Sequence, residues 1–341
     1  MSSSPGRIFL KRSGVAAAAA LAGPLVLPRY AHAAEFSLKY AHNAAVSHPQ
    51  HVWAIRAADA IKEQTAGQVE INVFPNNQLG SDTDTLSQLR AGAVDFFTMS
   101  GLILSSLVPV AAINGISFAF RDYEQAFQAM DGALGTHVRE AIRGKGLVVF
   151  DKIWNGGVRE ITSGKKPIHG PDDLKGFKIR VPPSALWVST FESLGAVPAS
   201  INWNETYSAL QTNLVDGQES PLVSIDTSKL YEVQKYCSLS HHMWDGFWLL
   251  GNRRGFARLP ARAQEIITAE FNRAAIGERQ DIITANAALQ QQLAGRGLEF
   301  IDVDQAAFRA RLQQAGFYAR WKEKFGQQAW GLLEASVGQL A

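Results

Sequence analysis

Hydrophobic and polar residues follow two rhythms along this chain, and the switches between them mark its elements. Residues 36–43 (FSLKYAHN) and 68–75 (QVEINVFP) alternate with a period of two, as side chains on opposite faces of a strand do. Between them, 51–67 repeats at the helical period, with Trp53, Ile55, Ala58 and Ile61 as the packing side and Gly67 as the stop. The next segment predicts a helix opened by Asp82 and Asp84 and stopped by Gly92, then a strand over 94–99. A helix over 123–143 and a strand over 146–154 follow. Short β–α–β spacing of this kind predicts a mostly parallel sheet with helices on both faces. From 260 to 294 only Gly277 interrupts a helical pattern of more than thirty residues, too long for one compact α/β unit. A strand over 298–304 and two terminal helices complete the chain.

The front of the chain has a different character. Arg7, Lys11 and Arg12 precede the apolar run 13–27, and Ala31-His32-Ala33 offers a small-x-small cleavage site. Residues 1–33 therefore read as a signal peptide cleaved at Ala33-Ala34. The run of 15 residues is short for a membrane span. PGRIFLK resembles a twin-arginine export signal, degenerate because Gly6 stands where the first arginine belongs. The remaining chain is predicted to be exported to the periplasm.

Composition narrows the classes. The formal charge is +2, and the leader carries four basic residues (Arg7, Lys11, Arg12, Arg29) and no acid, so 2 − 4 leaves −2 for the rest. Such a near-neutral chain lacks the basic excess that nucleic-acid binding demands. The single cysteine, Cys237, cannot form an internal disulfide and sits among apolar neighbours as a small core residue. The chain has no G-x-S-x-G elbow and no G-x-G-x-x-G turn. Neither His42, His48 and His51 nor His241 and His242 fall in a zinc spacing. Glu35, Glu160 and Glu219 form no recognisable carboxylate pair. No catalytic residue, metal or cofactor is expected.

The candidate chemistry is anion binding. In FKIRVP, alternation puts Phe177, Ile179 and Val181 on one face and Lys178 and Arg180 on the other, with Arg180 near the strand end. Ligands of open α/β sheets bind beyond the carboxyl ends of strands, and guanidinium pairs naturally with carboxylate. Arg159 follows Gly156-Gly157 in a second alternating segment. The loop in LVDGQESP offers backbone N–H groups and the Ser220 hydroxyl to an anion. Trp154, Trp187, Trp203, Trp244 and Trp248, with Phe247, fall near the same junctions and suggest a partly apolar pocket.

The ordered run NGGVREITS, KPIHGPDDLKGFKIRVPPS, LGAVPASINWNETYSALQTNLVDGQESPL and KLYEVQKY resembles the solute-binding proteins of tripartite ATP-independent periplasmic (TRAP) transporters, the DctP family. VEINVFPNNQLGSDTDTLSQLRAGAVDF fits the same pattern, and the likeness covers nearly all of 36–330. It implies a two-lobed periplasmic binding protein fold of α/β class, with mostly parallel or mixed sheets flanked by helices. Lobe I is expected over 34–156 with 246–285 and lobe II over 157–245 with 286–330. The helix 260–294 would bridge them, and 331–341 would form a tail. The resemblance makes Arg180 the central carboxylate-binding arginine and Arg159 a second ligand contact. Ser220 replaces an asparagine common in the family and offers one donor where the amide has two. Trp203 matches an aromatic position beside the ligand, Trp244, Asp245 and Phe247 match the segment crossing between lobes, and Ser100 and Asn43 match the opposite wall. The implied role is capture of a small organic acid, a 2-oxo or 2-hydroxy monocarboxylate with an aromatic or branched tail, for an ion-driven membrane permease. A C4-dicarboxylate ligand and a role in a sensory system are the alternatives. A monomer is the default state, with a dimer as the alternative.

Overall fold

The computed structural model describes residues 34–340, so the predicted leader and its cleavage site lie outside the described residues. The first half runs β1 (Phe36–His42), α1 (Pro49–Gln64), β2 (Val69–Phe74), α2 (Asp82–Ala91), β3 (Phe96–Ser100), α3 (Gly101–Leu104), α4 (Tyr123–Asp131), α5 (Ala133–Gly144), β4 (Leu147–Val149) and β5 (Trp154–Ser163). The second half runs β6 (Lys178–Val181), α6 (Ala185–Ser193), β7 (Val197–Ser200), α7 (Thr206–Gln211), β8 (Gly217–Pro221), α8 (Leu222–Thr227) and β9 (Tyr236–Asn252). The chain closes with α9 (Arg253–Ala257), α10 (Ala261–Gly295), β10 (Glu299–Asp302), α11 (Gln305–Gln314) and α12 (Phe317–Val337), the last bent at Gly326.

The strands join in the order β2-β1-β3-β9-β5-β8-β6-β7, with β4 and β10 also paired to β9. Both flanks are parallel as predicted: β1 with β2 and β3, and β6 with β7 and β8. The centre differs. β5 and β9 run antiparallel to each other, and each is antiparallel to its outer neighbour, so the whole is mixed. The 17-residue β9 serves both lobes: Phe247–Asn252 pairs with β3 and β4, and Tyr236–Leu239 pairs with β10. Register shifts at Asn155/Gly157 and Arg159/Ile161 interrupt the β5–β9 ladder where the lobes meet. Gly157 has φ +107° there, and a Cβ would lie 2.8 Å from Pro221.

The long helix α10 links the lobes as the sequence led us to expect. Its first half (Ile266, Ile267, Phe271, Ala274) packs into the core built on α1, β1 and β2, while Ile282, Leu289 and Leu293 join the core under α7 and α8. At about 1.5 Å per residue its 35 residues span about 50 Å. Gly277 is where Trp53 of α1 lies against this helix: a Cβ there would come within 2.2 Å of the indole. The indole N–H donates to Asp281 Oδ2 at 2.7 Å.

Three local expectations change. The buried face of α1 is Gln50, Ala54, Ala57, Ala58 and Ile61, and Ile55 is exposed, because the small alanine stripe brings α1 close to α10. The helix expected over 123–143 is two, parted at Gly132; α5 turns back so tightly that a Cβ at Gly135 would lie 1.6 Å from the Met130 carbonyl oxygen. The strand expected over 146–154 is β4 followed by a bend, and β5 starts at Trp154 to cross between lobes.

Candidate functional site

A cavity of about 570 Å³, mouth included, opens where strand ends of both lobes converge. That size is ordinary for a small-molecule site. Asn43, Ser100, Arg159, Arg180, Trp203, Ser220, Asp245 and Phe247, all expected at the site, line it.

The two arginines differ sharply. Arg159 is buried on β5, facing β8 and β9. Its Nη2 donates to Glu219 Oε1 (2.8 Å) and to the Glu219 carbonyl (2.7 Å), its Nη1 to Asp245 Oδ2 (3.0 Å), and its Nε to Glu219 Oε2. Four of its five N–H groups are thus used within the protein. Asp245 also accepts from Ser100 Oγ at 2.7 Å, and Glu219 meets His242 Nε2 at 3.2 Å. Burial works against the charge of Arg159, but the Glu219 and Asp245 carboxylates outweigh it and hold its pKa above the ordinary value. Burial likewise lifts Asp245 to about 6, although Arg159 and Ser100 pull the other way.

Arg180 is equally buried, at 1% exposure, but its bonds go only to a neutral group. Its Nε and Nη2 both donate to the Ile201 carbonyl, at 2.9 and 2.7 Å. Nη1 is buried without a partner, so three of its five N–H groups are uncommitted. Burial pulls its pKa down to about 9, partly opposed by the more distant Glu219 carboxylate. The Trp203 ring covers the guanidinium at 5.4 Å, and Trp187 covers that of Arg159 at 4.7 Å. Ser220 Oγ and Trp187 Nε1 are also buried without partners. Unpartnered buried donors gathered around one cavity are costly unless an acceptor fills it. A carboxylate is such an acceptor.

The profile of the DctP family, Bacterial extracellular solute-binding protein, family 7, matches residues 40–323. This chain belongs to that family. Among its relatives, "2,3-diketo-L-gulonate-binding periplasmic protein YiaO" of Escherichia coli is 30% identical over 80% of this chain and 83% of its own. The uncharacterized protein y4mM of Sinorhizobium fredii is 36% identical over 87% of this chain, which spans only 54% of y4mM. A TRAP periplasmic solute-binding protein from Sulfurospirillum deleyianum, solved with bound succinate, superposes with a TM-score of 0.84 at 28% identity, covering 89% of this chain and 98% of the other. The molecule is thus a periplasmic solute-binding protein of the TRAP type, a binder and not an enzyme.

For this DctP-family binder one expected contact moves away. Trp244 does not line the cavity; its indole lies edge-on to Phe120 and Phe127 and donates to Asn155 Oδ1 at 2.9 Å. Alternation along β9 turns Trp244 to the face opposite Asp245. Trp154 and Trp248 are likewise buried in the core.

Asp82 and Gln50 are among the lining residues that were not anticipated. Asp82, at the start of α2, is buried and accepts from Asn43 Nδ2 (2.9 Å) and Asn77 Nδ2 (3.0 Å); burial raises its pKa. As a helix-opening acid it looked like a cap in the sequence. Gln50 is held in the first turn of α1, where its backbone N–H donates to Nδ1 of the capping His48 at 3.1 Å. Burial lowers the His48 pKa to about 4, so that nitrogen is an acceptor at neutral pH.

Proposed function

We propose that this protein captures a small 2-oxo or 2-hydroxy monocarboxylate in the periplasm and hands it to the membrane permease of a TRAP transporter. The observation that carries the reading is the bonding of Arg180: one edge pinned to the Ile201 carbonyl, the other free, in a cavity that the unpartnered Ser220 also lines. That arrangement suits one carboxylate, bound through charge-assisted hydrogen bonds. Arg159 does not supply a second anion site, because Glu219 and Asp245 already match its charge. The rest of the lining includes the Asp82 carboxylate, which disfavours a second ligand carboxylate and favours a hydroxyl donor. Trp203, Phe247 and Ile103 supply the apolar surface for a carbon chain. YiaO, by its name, binds a 2-oxo sugar acid. The succinate in the Sulfurospirillum protein supports a C4-dicarboxylate as the rival ligand.

A thermal-shift screen over monocarboxylates, C4-dicarboxylates and sialic-type acids tests the choice. Large shifts are expected with 2-oxo and 2-hydroxy monocarboxylates. A large shift with succinate or malate and none with any monoacid would overturn it. In calorimetry Arg180→Ala should lower affinity by at least a hundredfold, since truncation strands a desolvated carboxylate. Wild-type affinity in that variant would remove Arg180 from the site.

A further inference from the structure

The lining donors are unevenly spread, and the odd one out identifies a specificity residue. Arg180 Nη1, Ser220 Oγ and Trp187 Nε1 come from β6, β8 and α6, all on one side of the cavity. The facing side is built from β1, α1, α2 and β3, and two of its lining polar groups bond within the protein. Asn43 Nδ2 donates to Asp82, and Ser100 Oγ donates to Asp245. Gln50 is different: it is 2% exposed, and its Nε2 is buried with no hydrogen-bond partner. A buried amide N–H₂ left unsatisfied costs free energy, so such a group persists where something else satisfies it. His48 pins the backbone of Gln50, which fixes where the side chain starts.

We infer that Gln50 is a specificity-determining residue that donates from the α1 side to the oxygen on C2 of the bound acid. This rests on the organic-acid reading above. Arg180 and Ser220 match the two carboxylate oxygens from the β6–β8 side, so the next acceptor along the ligand is the C2 oxygen. A ligand held by Arg180 on one side and Gln50 on the other also ties the two sides of the cavity together. An acid with no oxygen at C2 leaves the amide unsatisfied and binds more weakly.

The test uses three matched pairs that differ only at C2: 2-hydroxyisovalerate and isovalerate, malate and succinate, gluconate and 2-deoxygluconate. Affinities are measured by calorimetry for the wild type, Gln50→Ala and the volume-conserving Gln50→Leu. In whichever pair binds, the wild type should favour the hydroxy acid by about tenfold, the worth of one well-formed hydrogen bond. Both variants should erase that preference, the ratio of affinities within a pair falling to about one, while circular dichroism and ligand-free melting curves report that the fold is intact. An equal loss for both members of a pair, or an undiminished preference in the variants, overturns the role of Gln50. Binding confined to malate and succinate overturns the monocarboxylate reading alone, and the same comparison within that pair still decides Gln50. Binding of none of the six acids overturns both.

Discussion

The role proposed for Ser220 separates ligand binding from fold stability. Its hydroxyl is buried and bonds nothing in the protein. Removing it therefore takes away no internal hydrogen bond. Ser220→Ala should leave the melting temperature of the ligand-free protein unchanged within about 1–2 °C and weaken acid binding by about tenfold. Melts with and without ligand, compared with calorimetric affinities, check both halves. Arg159 is the opposite case. It was expected as a second ligand contact, and it does line the cavity, but its bonds run to Glu219 and Asp245, 60 and 86 residues away in sequence. No local pattern announces partners that distant. Arg180 was readable because alternation in a four-residue strand places it opposite Ile179 and Val181.

At the level of elements, the seam between α1 and α10 sets how the long helix sits on the first lobe. A glycine inside a helix normally costs about 0.5–1 kcal/mol relative to alanine, so Gly277→Ala would stabilise an isolated helix. Here the added methyl would strike the Trp53 ring at 2.2 Å, and that ring is tethered to Asp281. Overpacking of this kind costs about 1–3 kcal/mol and outweighs the gain in propensity. Urea titration of Gly277→Ala should show a lower midpoint with an unchanged slope. A higher midpoint would mean that Trp53 moves aside freely.

Across the whole molecule, the lobes are joined by β5, β9 and α10, and Glu278 of α10 sits at their junction. It is buried and accepts from the backbone N–H of Asn155 at 2.8 Å, at the start of β5. Burial raises its pKa from 4.5 to about 8. The folded state therefore holds this proton more tightly than the unfolded chain. The resulting stability is full below the unfolded value of 4.5 and is lost as pH climbs to about 8. Glu278→Gln imitates the protonated form at every pH and removes that loss. Melting temperatures taken from about pH 5 to about pH 8.5 should show the variant gaining on the wild type as pH rises. Parallel curves would show that the carboxyl ionises normally in the fold.

The amino-acid sequence by itself determined the class and the family. Alternation of period two and repeats of period 3.6 report which residues face the core, and those patterns marked the flanking strands, α1, α2 and the long helix. The ordered motifs from Asn155 to Tyr236 were specific enough to indicate a DctP-type binder. Tertiary structure decided what those patterns do not carry. The register of β5 against β8 and β9 committed Arg159 to internal carboxylates, while Arg180 on β6 is pinned on one edge only, to the Ile201 carbonyl. The pleat of β9 turned Asp245 to the cavity and Trp244 to the core. Packing of α1 and α2 brought Gln50 and Asp82 to the facing wall. The physical reason is common to all three: local sequence encodes whether a side chain is buried, whereas the partner of a buried polar group is set by segments tens of residues away.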